Sequence, residues 1–335
     1  MPSLKDLAKE CGVSVATVSK ALNDQPDIAA ATRERIRAAA RRMGYLPNAA
    51  ARALKTTRTY YLGVLFVDER RSGLPHGYFS AVLDSFKVEA EQRGYDITFI
   101  THNISGRSMT YLEHCHYRSV DGVVIACVNF YDPQVVELVN SDVPVVTIDH
   151  VFNNRMAVLS DNVAGLKALV KQAWACGHRR IAFIHGEKTS VTENRIAGFY
   201  QACEELGLEI PEEYVRDGVY HDVERCAEET RALLALPQRP TCIIFPDDFS
   251  ALGGYNALAE AGLSIPDDIS VMGYDGIYLS RVVNPSLVTY QQNTAALGQT
   301  AADKLIELIE HPRVTLPEQI RVSGRLLSGG SVRSL

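Results

Sequence analysis

The 335-residue sequence lacks the patterns that define several large classes of protein. No apolar run approaches the roughly 20 residues that a membrane-spanning helix requires, so we expect no membrane partner. Charged residues from Lys5 to Glu10 interrupt the N-terminus, where a signal peptide would need an apolar segment. These two absences together favour a cytoplasmic location.

Cysteine and metal-ligand patterns are equally sparse. The seven cysteines are odd in number, widely spaced and never arranged as Cys-x-x-Cys, which favours reduced thiols in a reducing compartment. The run His114-Cys115-His116 contains candidate metal ligands. Three adjacent residues cannot easily converge on one tetrahedral ion, and no second ligand pair lies nearby. We therefore expect neither a metal site nor a cofactor.

Catalytic motifs are missing as well, although parallel α/β folds often carry enzymes. No G-x-G-x-x-G follows the first predicted strand, and neither a G-x-x-x-x-G-K-[ST] loop nor a G-x-S-x-G elbow occurs. These absences indicate that the chain is not an enzyme.

Charge is distributed unevenly along the chain. Residues 1–60 carry eleven Lys and Arg against five Asp and Glu, a net charge of +6. Since the whole chain carries −6, the remaining 275 residues carry −12. A basic N-terminal segment on an acidic body suggests a nucleic-acid-binding module attached to a second domain.

The basic segment has the spacing of a helix-turn-helix. Ser3, followed by Asp6, predicts a capped first helix, and Gly12 permits the sharp turn that ends it. Ser14 predicts the N-cap of a second helix, and Thr32 the cap of a third. Helix, glycine turn and helix at this spacing are typical of DNA-binding proteins.

The second helix is the predicted reader of the major groove, where recognition helices present their N-terminal residues to base edges. Lys20 suits guanine O6 and N7 or a phosphate, whereas Val15 and Ala16 suit thymine methyl groups. The predicted contact residues of this helix are Ser14, Val15, Ala16, Thr17, Ser19, Lys20 and Asn23. The alternative is a three-helix bundle with a solvated basic face.

From residue 61 onward, short apolar runs alternate with helical patterns. The predicted strands are 62–67, 96–101, 122–127, 143–149, 181–185, 242–245 and 270–274. Fully apolar strands between helices indicate parallel sheets covered on both faces. One series of strands precedes Ser160 and another follows it, which suggests two similar lobes.

Polar residues follow several of these strands, at the sheet edge where α/β proteins bind ligands. The predicted set combines acidic residues and one arginine with aromatic residues in facing loops: Asp149, Asp247, Asp248, Asp275, Arg195, Tyr78, Phe79 and Tyr220. Carboxylates accept hydroxyl protons and aromatic faces cover apolar ring surface, which suits a polyhydroxylated ligand. Acidic residues that cap following helices are the alternative, and we favour it for Asp248.

Several segments resemble the LacI/GalR repressor family. They are residues 4–8 (LKDLA), 12–23 (GVSVATVSKALN), 43–48 (MGYLPN), 51–54 (ARAL), 177–184 (GHRRIAFI), 195–199 (RIAGF) and 265–275 (IPDDISVMGYD). The resemblance implies an α/β fold: an N-terminal all-α helix-turn-helix domain followed by a two-lobed, periplasmic-binding-protein-like domain with parallel sheets. Lys20 stands where the family usually has arginine, Asp247 where it usually has asparagine, and Gly276 where it often has aspartate.

A short segment after Pro47 is the predicted hinge. Eight residues are too few for an isolated helix in water, so this segment should fold only when something docks it. The resemblance implies that operator DNA folds it and that Leu54 inserts into the minor groove, which kinks the duplex. The hinge residues predicted to bind DNA are Asn48, Ala51, Arg52, Leu54 and Lys55. An alanine-rich linker is the alternative.

The resemblance also implies domain boundaries and effector positions. We expect a helix-turn-helix domain at 1–47, a hinge helix and linker at 48–59, and an effector-binding and dimerisation domain at 60–335. Lobe 1 would comprise about 60–160 plus 291–322, and lobe 2 about 161–290 plus 323–335. The implied effector-contacting residues are Phe79, Asp149, Arg195, Tyr220, Asp247, Asp275 and Gln292.

The expected function is sequence-specific transcriptional repression of carbohydrate-utilisation genes. A homodimer would bind a palindromic double-stranded operator, and a sugar or sugar derivative would control its affinity by changing the spacing of the hinges. Three alternatives remain: a purine or nucleoside effector, control by a protein co-regulator, and a periplasmic-type sugar-binding protein without a regulatory role.

Overall fold

The computed structural model describes residues 2–46, 58–67, 74–75, 77–104 and 106–335. The chain divides into two units, Met1–Tyr60 and Tyr61–Leu335. The first is helical and the second is built mainly on two six-stranded sheets, which confirms the expected fold class. No helix in these described stretches is long and apolar enough to cross a membrane.

The N-terminal unit contains three helices: α1 (Leu4–Cys11), α2 (Val15–Leu22) and α3 (Ala30–Met43). Ser3 and Asp6 form a reciprocal capping box at the start of α1, and Gly12 ends that helix with φ 64°. The apolar faces of the three helices form one small core, composed of Leu7, Ala8, Val18, Ala21, Ile36, Ala39 and Ala40. Burial of this shared face holds three short helices together.

The third helix begins earlier than the sequence suggested. Thr32 lies inside α3 and does not cap it, because Ala29 is the N-cap residue and makes no side-chain hydrogen bond. Arg33 N donates to Ala29 O at 3.0 Å, which extends the helical hydrogen bonding back to this position. The Arg33 guanidinium also donates to Ile28 O at 3.0 Å and fixes the preceding loop. The prediction that Thr32 caps the helix was therefore wrong.

We use lobe 1 for the part built on the first sheet. Its strands are β1 (Tyr61–Phe66), β2 (Asp96–Phe99), β5 (Gly122–Ala126), β6 (Val145–Ile148), β7 (Met156–Ser160) and β13 (Gln319–Val322), and a small hairpin is formed by β3 (Asn103–Ile104) and β4 (Arg107–Ser108). All neighbours in the sheet are parallel, in the order β13-β7-β6-β5-β1-β2. The covering helices are α4 (Gly77–Gln92), α5 (Tyr111–Arg118), α6 (Pro133–Asn140) and α12 (Thr294–Glu310).

Lobe 2 is the part built on the second sheet. Its strands are β8 (Ile181–His185), β9 (Val215–Asp217), β10 (Cys242–Ile244), β11 (Ser270–Asp275), β12 (Val288–Gln291) and β14 (Arg325–Leu327), in the order β14-β12-β11-β10-β8-β9. Only the pairing of β12 with β14 is antiparallel. Its helices are α7 (Asn162–Ala175), α8 (Ser190–Glu205), α9 (Val223–Leu234), α10 (Ala251–Glu260) and α11 (Leu279–Val282), with a 3-10 turn at Glu212–Tyr214.

The chain crosses between the lobes three times. The crossovers follow Ser160 at the end of β7, Gln291 at the end of β12 and Val322 at the end of β13. They bring residues that start or end elements of both lobes together. The candidate ligand-binding residues described below lie near the first two crossovers.

Candidate functional site

The solvent-facing side of α2 carries the residues predicted to read DNA. Ser14 caps the helix, because its Oγ accepts a hydrogen bond from Thr17 N at 3.1 Å. The opposite side of the helix enters the three-helix core, so the reading side lies outside that core. The exposed or half-buried residues on this side are Val15, Ala16, Thr17, Ser19 and Lys20. Small side chains followed by an ammonium group allow close approach to base edges and phosphates.

Two contacts order the end of this helix. The Lys20 ammonium forms an ion pair with the Asp27 carboxylate in the loop before α3. The Asn23 side chain donates to Ser19 O at 2.7 Å. Lys20 is therefore paired within the protein, and a contact with DNA would have to replace or share this ion pair. The predicted hinge residues, Asn48, Ala51, Arg52, Leu54 and Lys55, lie outside the described residues.

In the second unit, polar side chains gather near the crossovers. Asp149 follows β6, Asp275 ends β11 and Gln292 follows β12. Both aspartates adopt positive φ, 59° at Asp149 and 99° at Asp275. Non-glycine residues with positive φ are strained, and they concentrate at functional sites, where the surrounding contacts maintain the strain.

Asp149 is held within lobe 1 by two donors. Tyr78 Oη donates to Asp149 Oδ2 at 2.7 Å, and Ser160 N donates to Oδ1 at 2.7 Å. Burial and the neighbouring Asp149 carboxylate raise the pKa of Tyr78, so its hydroxyl stays protonated and donates. From lobe 2, Ser190 Oγ donates to the backbone carbonyl of Asp149 at 3.3 Å. Asp149 thus lies where the two lobes touch.

Arg195 occupies the centre of the lobe 2 cluster and is only 4% exposed. Its Nε donates to Asn162 Oδ1 at 2.8 Å, and its Nη1 donates to Pro246 O at 2.7 Å. The guanidinium carbon lies 3.7 Å from the centre of the Tyr274 ring, a cation–π contact. Its Nη2 lies 3.8 Å from Asp275 Oδ1, so the buried cation faces a buried carboxylate. Five planar donors fixed in this way are suited to orienting a polar ligand.

The approach of α7 makes this stack possible. A Cβ on Gly165 would lie 2.2 Å from Tyr274 Oη, so only glycine lets the helix pass the ring. The Tyr274 hydroxyl in turn lies 3.3 Å from Asn162 Oδ1, the acceptor that it shares with Arg195. Asn162 and Tyr274 were not predicted from the sequence, because the strand before the first crossover was missed and Tyr274 resembled an ordinary core residue.

Asp275 and Gln292 form the second half of the cluster. Gln292 Nε2 donates to Asp275 Oδ1 at 2.7 Å. Burial raises the pKa of Asp275 to about 6, against the opposing effect of Arg195. Gln292 is 4% exposed, and its Oε1 has no hydrogen-bond partner among the residues that the structure describes. A buried acceptor left in this state is costly unless a ligand or water supplies a donor.

The aromatic members of the predicted set differ in position. The Tyr220 hydroxyl hydrogen-bonds Thr192 Oγ1 at 2.9 Å, and the Tyr220 ring lies 5.5 Å from the Arg195 guanidinium. Phe79 packs edge-on against Tyr78 with ring centres 4.9 Å apart. Tyr220 therefore belongs to the Arg195 cluster, and Phe79 lies beside the Tyr78–Asp149 pair.

Only one of the two adjacent aspartates bonds near the start of the following helix. Asp247 Oδ1 accepts from Ser250 N at 2.7 Å, next to the start of α10, and its Oδ2 accepts from His221 N at 2.9 Å. Asp248 does not cap that helix, which corrects the prediction. Its Oδ2 accepts from Ile277 N at 2.8 Å and its Oδ1 from the Thr289 hydroxyl at 2.6 Å, so it ties the end of β11 to β12. Burial, and then Asp275, raise the pKa of Asp248.

A cavity of about 380 Å³ adjoins the cluster at the crossovers, within the roughly 300–1,000 Å³ range of small-molecule pockets. Residues 291–295 and 323–325 line it, so Gln292 belongs both to the cavity and to the cluster. The run His114-Cys115-His116 was considered above as a source of metal ligands. Its buried His114 ring instead hydrogen-bonds the backbone of Thr101 through Nδ1. Within the described ranges, no group of three or more His, Cys, Asp or Glu is placed to hold a metal.

A helix-turn-helix head followed by a two-lobed parallel α/β body is the architecture of a DNA-binding regulator with a periplasmic-binding-protein-like domain. Two family models match the chain: bacterial regulatory proteins of the lacI family at residues 3–48, and the periplasmic binding protein-like domain at residues 170–332. The chain belongs to the LacI family and is a DNA-binding transcriptional repressor, not an enzyme.

Relatives along the whole chain support this assignment. The chain is 31% identical over 342 residues to the HTH-type transcriptional repressor PurR of Haemophilus influenzae, with 100% of both chains covered. It is 30% identical to PurR of Escherichia coli, over 99% of this chain and 97% of that protein. A solved lac repressor dimer, bound to operator and the anti-inducer ONPF, has a TM-score of 0.80 at 26% identity, with 99% of each chain covered. A LacI family regulator from Enterococcus faecium with bound ribose has a TM-score of 0.70 at 25% identity, covering 82% of this chain and 99% of that one.

Proposed function

We propose that this repressor binds a palindromic operator as a homodimer and that a small polyhydroxylated effector, a sugar or sugar derivative, sets its affinity. Its target genes would then be genes of carbohydrate utilisation. The observation that carries the effector proposal is the Arg195 cluster, in which a buried guanidinium, a buried carboxylate and an unpartnered amide oxygen meet near the crossovers.

The chemistry of the cluster favours a ligand rich in donors. Asp149, Asp275 and the Gln292 oxygen are acceptors, and a sugar ring offers several hydroxyl donors at fixed spacing. Arg195 supplies donors of its own for a ring or hydroxyl oxygen. Tyr220 and Phe79 add apolar ring surface of the kind that covers a sugar face.

The position of the cluster supplies a route from ligand to DNA. Asn162 begins α7 directly after the first crossover, and Gln292 lies in the second. A ligand that contacts Arg195 and Gln292 would stabilise one arrangement of the two lobes over another. A change in that arrangement would shift the spacing of the two hinge segments in a dimer and so the affinity for operator. The solved lac repressor dimer on operator is consistent with a two-fold assembly of this kind.

On the DNA side, we propose that Val15, Ala16, Thr17, Ser19 and Lys20 contact bases or phosphates, with Ser14 and Asn23 at the ends of the helix. The exposed side of α2 supports this assignment. We also propose that the hinge segment containing Asn48, Ala51, Arg52, Leu54 and Lys55 folds on the operator, with Leu54 in the minor groove.

The test compares the wild-type chain with Arg195→Lys in a thermal-shift and operator-binding series against sugars, sugar acids and nucleosides. Ligands that bind only the folded protein raise its melting temperature. The lysine variant keeps the charge but loses the planar donors, so we expect its effector affinity to fall by roughly tenfold or more. Operator affinity without effector should be unchanged. The matched control is Arg313→Lys, the same change at an exposed position.

A planar nucleobase is the second candidate, and the Tyr220 ring beside the Arg195 guanidinium is the observation that favours it. The same panel separates the two. Binding of a nucleoside without binding of any sugar would replace the carbohydrate proposal. An unaltered effector response in Arg195→Lys would remove the cluster from the effector site.

A further inference from the structure

We propose that the effector carries a positively charged amino group, as an amino sugar does, and that this group binds beside Asp275 and Gln292. The inference rests on the proposed function, since it names the chemical class of a polyhydroxylated ligand at the same site. Three features of the described residues carry it: an excess of buried carboxyl groups, an unpartnered acceptor next to one of them, and the arrangement of the single buried arginine.

The first feature is the balance of charge around the cluster. Asp247 and Asp248 are each 1% exposed, Asp275 is 7% exposed, and Asp149 of lobe 1 is close enough to Arg195 to raise its pKa. In the described part of the cluster, Arg195 is the one buried guanidinium, and it lies nearest to Asp275. The half-buried His221 also lowers the pKa of Asp275. Even with a proton on Asp248, three carboxylates remain around one guanidinium. Burying uncompensated negative charge is unfavourable unless a cation or strong donors accompany it.

The donors already present distinguish these carboxylates from one another. Asp247 accepts three hydrogen bonds, from the backbone of His221 and from the backbone and hydroxyl of Ser250. Asp248 accepts two, from Ile277 N and the Thr289 hydroxyl. Asp275 receives one side-chain hydrogen bond, from Gln292, and its nearest Arg195 nitrogen lies 3.8 Å away, beyond hydrogen-bond distance. Asp275 is therefore the carboxylate with the greatest remaining capacity for a charged donor.

The second feature is the Gln292 side chain. Its nitrogen faces Asp275, and its buried oxygen has no donor within the described residues. An ammonium group has three donors and no acceptor. It can bond Asp275 and the Gln292 oxygen at once, which a single hydroxyl proton cannot do.

The third feature is that most of the Arg195 guanidinium is already engaged by other groups. Its Nε and Nη1 bond Asn162 and the Pro246 carbonyl, and its face covers the Tyr274 ring. These contacts hold the guanidinium away from direct hydrogen bonding to Asp275. Burial raises the pKa of Asp275 to about 6 although Arg195 opposes this shift, and a bound cation would lower the pKa further.

The experiment measures binding of matched ligands to the full-length protein by calorimetry at pH 7.5. Each series contains a hexose, its 2-amino form and its N-acetyl form, in the gluco, galacto and manno configurations. The amino form carries the charge, the N-acetyl form keeps an N–H without it, and the hexose has neither. Ethanolamine, an amine without a ring, controls for attraction of any amine to an acidic protein.

We expect one amino sugar to bind at least about tenfold more tightly than its hexose and its N-acetyl form, since hydrogen bonds to charged groups are the stronger class. In Asp275→Asn this preference should fall to about threefold or less. Melting curves of the variant without ligand establish that it is folded. The comparison of amino sugar, hexose and N-acetyl form on the wild-type protein tests the charged effector without any variant.

Three results would overturn the inference. Equal or tighter binding of the neutral hexose would exclude a charged effector and leave the proposed carbohydrate function standing. An amino-sugar preference that persists in Asp275→Asn would place the amino group elsewhere. If neither neutral nor amino sugars bind, the proposed carbohydrate effector fails together with the inference.

Discussion

Lys20 on α2 and Asp27 in the following loop form an ion pair, and their side chains are 51% and 52% exposed. Lys20 is also the long donor on the predicted reading side of α2. The protein's own carboxylate therefore competes with the operator for this ammonium group.

We expect Asp27→Asn to raise operator affinity by about two- to fivefold at low salt, because exposed ion pairs are weak and the freed Lys20 can bind DNA. The gain should shrink as salt screens the interaction. Glu34→Gln removes one negative charge of the same unit without touching Lys20, since Glu34 pairs with Arg41, and serves as the control. Titrations of labelled operator at several salt concentrations measure both. Weaker binding by Asp27→Asn would show that Asp27 orients Lys20 instead of competing for it.

Leu54→Ala tests the hinge. Loss of an apolar wedge should lower operator affinity by roughly tenfold or more, because the kinked DNA is no longer stabilised at its central step. Effector binding should be unchanged. Leu316→Ala, at a position 78% exposed in the second unit, is the matched control. Equal operator affinity of Leu54→Ala and the wild type would contradict the hinge assignment.

Gly165→Ala tests the close approach of α7 to Tyr274. The added Cβ would lie 2.2 Å from Tyr274 Oη, so the ring must shift or the helix must retreat, at a cost of about 1–3 kcal/mol in the free energy of unfolding. Displacing this ring also disturbs the Arg195 stack, so effector affinity should fall while operator binding without effector persists. Tyr274→Phe removes the nearest atom, and we expect it to restore part of the stability when combined with Gly165→Ala. Additive destabilisation in the double variant would exclude this contact as the cause.

Asp275 should make stability depend on pH in a defined direction. Its pKa rises from 3.8 in the unfolded chain to about 6 when folded, so the folded protein binds the proton more tightly. The stability that this group contributes is complete below about pH 4 and is lost as pH rises through 6. Asp275→Asn removes this loss. The free energy of unfolding of the variant should therefore rise relative to that of the wild type between pH 4 and pH 7, by up to about 3 kcal/mol.

Melting temperatures of both proteins across that range provide the measurement. The exposed Asp268 is the control of opposite sign, because hydrogen bonds from the backbone and side chain of Ser264 lower its pKa. Asp268→Asn should therefore be less stable than the wild type by a constant amount between pH 4 and pH 7, and this deficit should shrink as pH falls below 4. A constant difference between Asp275→Asn and the wild type would contradict the raised pKa of Asp275.

The sequence predicted the strands that are apolar along their whole length. β5 and β11 are buried along their whole length and stood out as short apolar runs. β13 alternates exposed and half-buried residues at a sheet edge, and it was missed. Its pairing with β7 depends on residues about 160 positions apart, which local patterning does not reveal.

The candidate site shows the same division. Asp149, Arg195 and Asp275 could be proposed from the sequence because each stands near the end of an apolar strand or the start of a helix. Asn162 was not, since its place beside Arg195 depends on where the first crossover leaves lobe 1. The capping role expected of Asp248 was wrong because consecutive residues point in different directions, and only the fold decides that Asp247 meets the start of α10.

Gln292 has a consequence for how such a regulator can acquire a new ligand. The residue lies in a segment that joins the lobes, and its side chain belongs to the cluster proposed to bind the effector. A substitution there would alter ligand preference and the balance between lobe arrangements in one step. Tyr220 belongs to the loop after β9 and is not part of a segment that joins the lobes. A substitution at Tyr220 could therefore change ligand preference without changing the balance between lobe arrangements. A substitution at Gln292 would need compensating changes elsewhere in the joining segments.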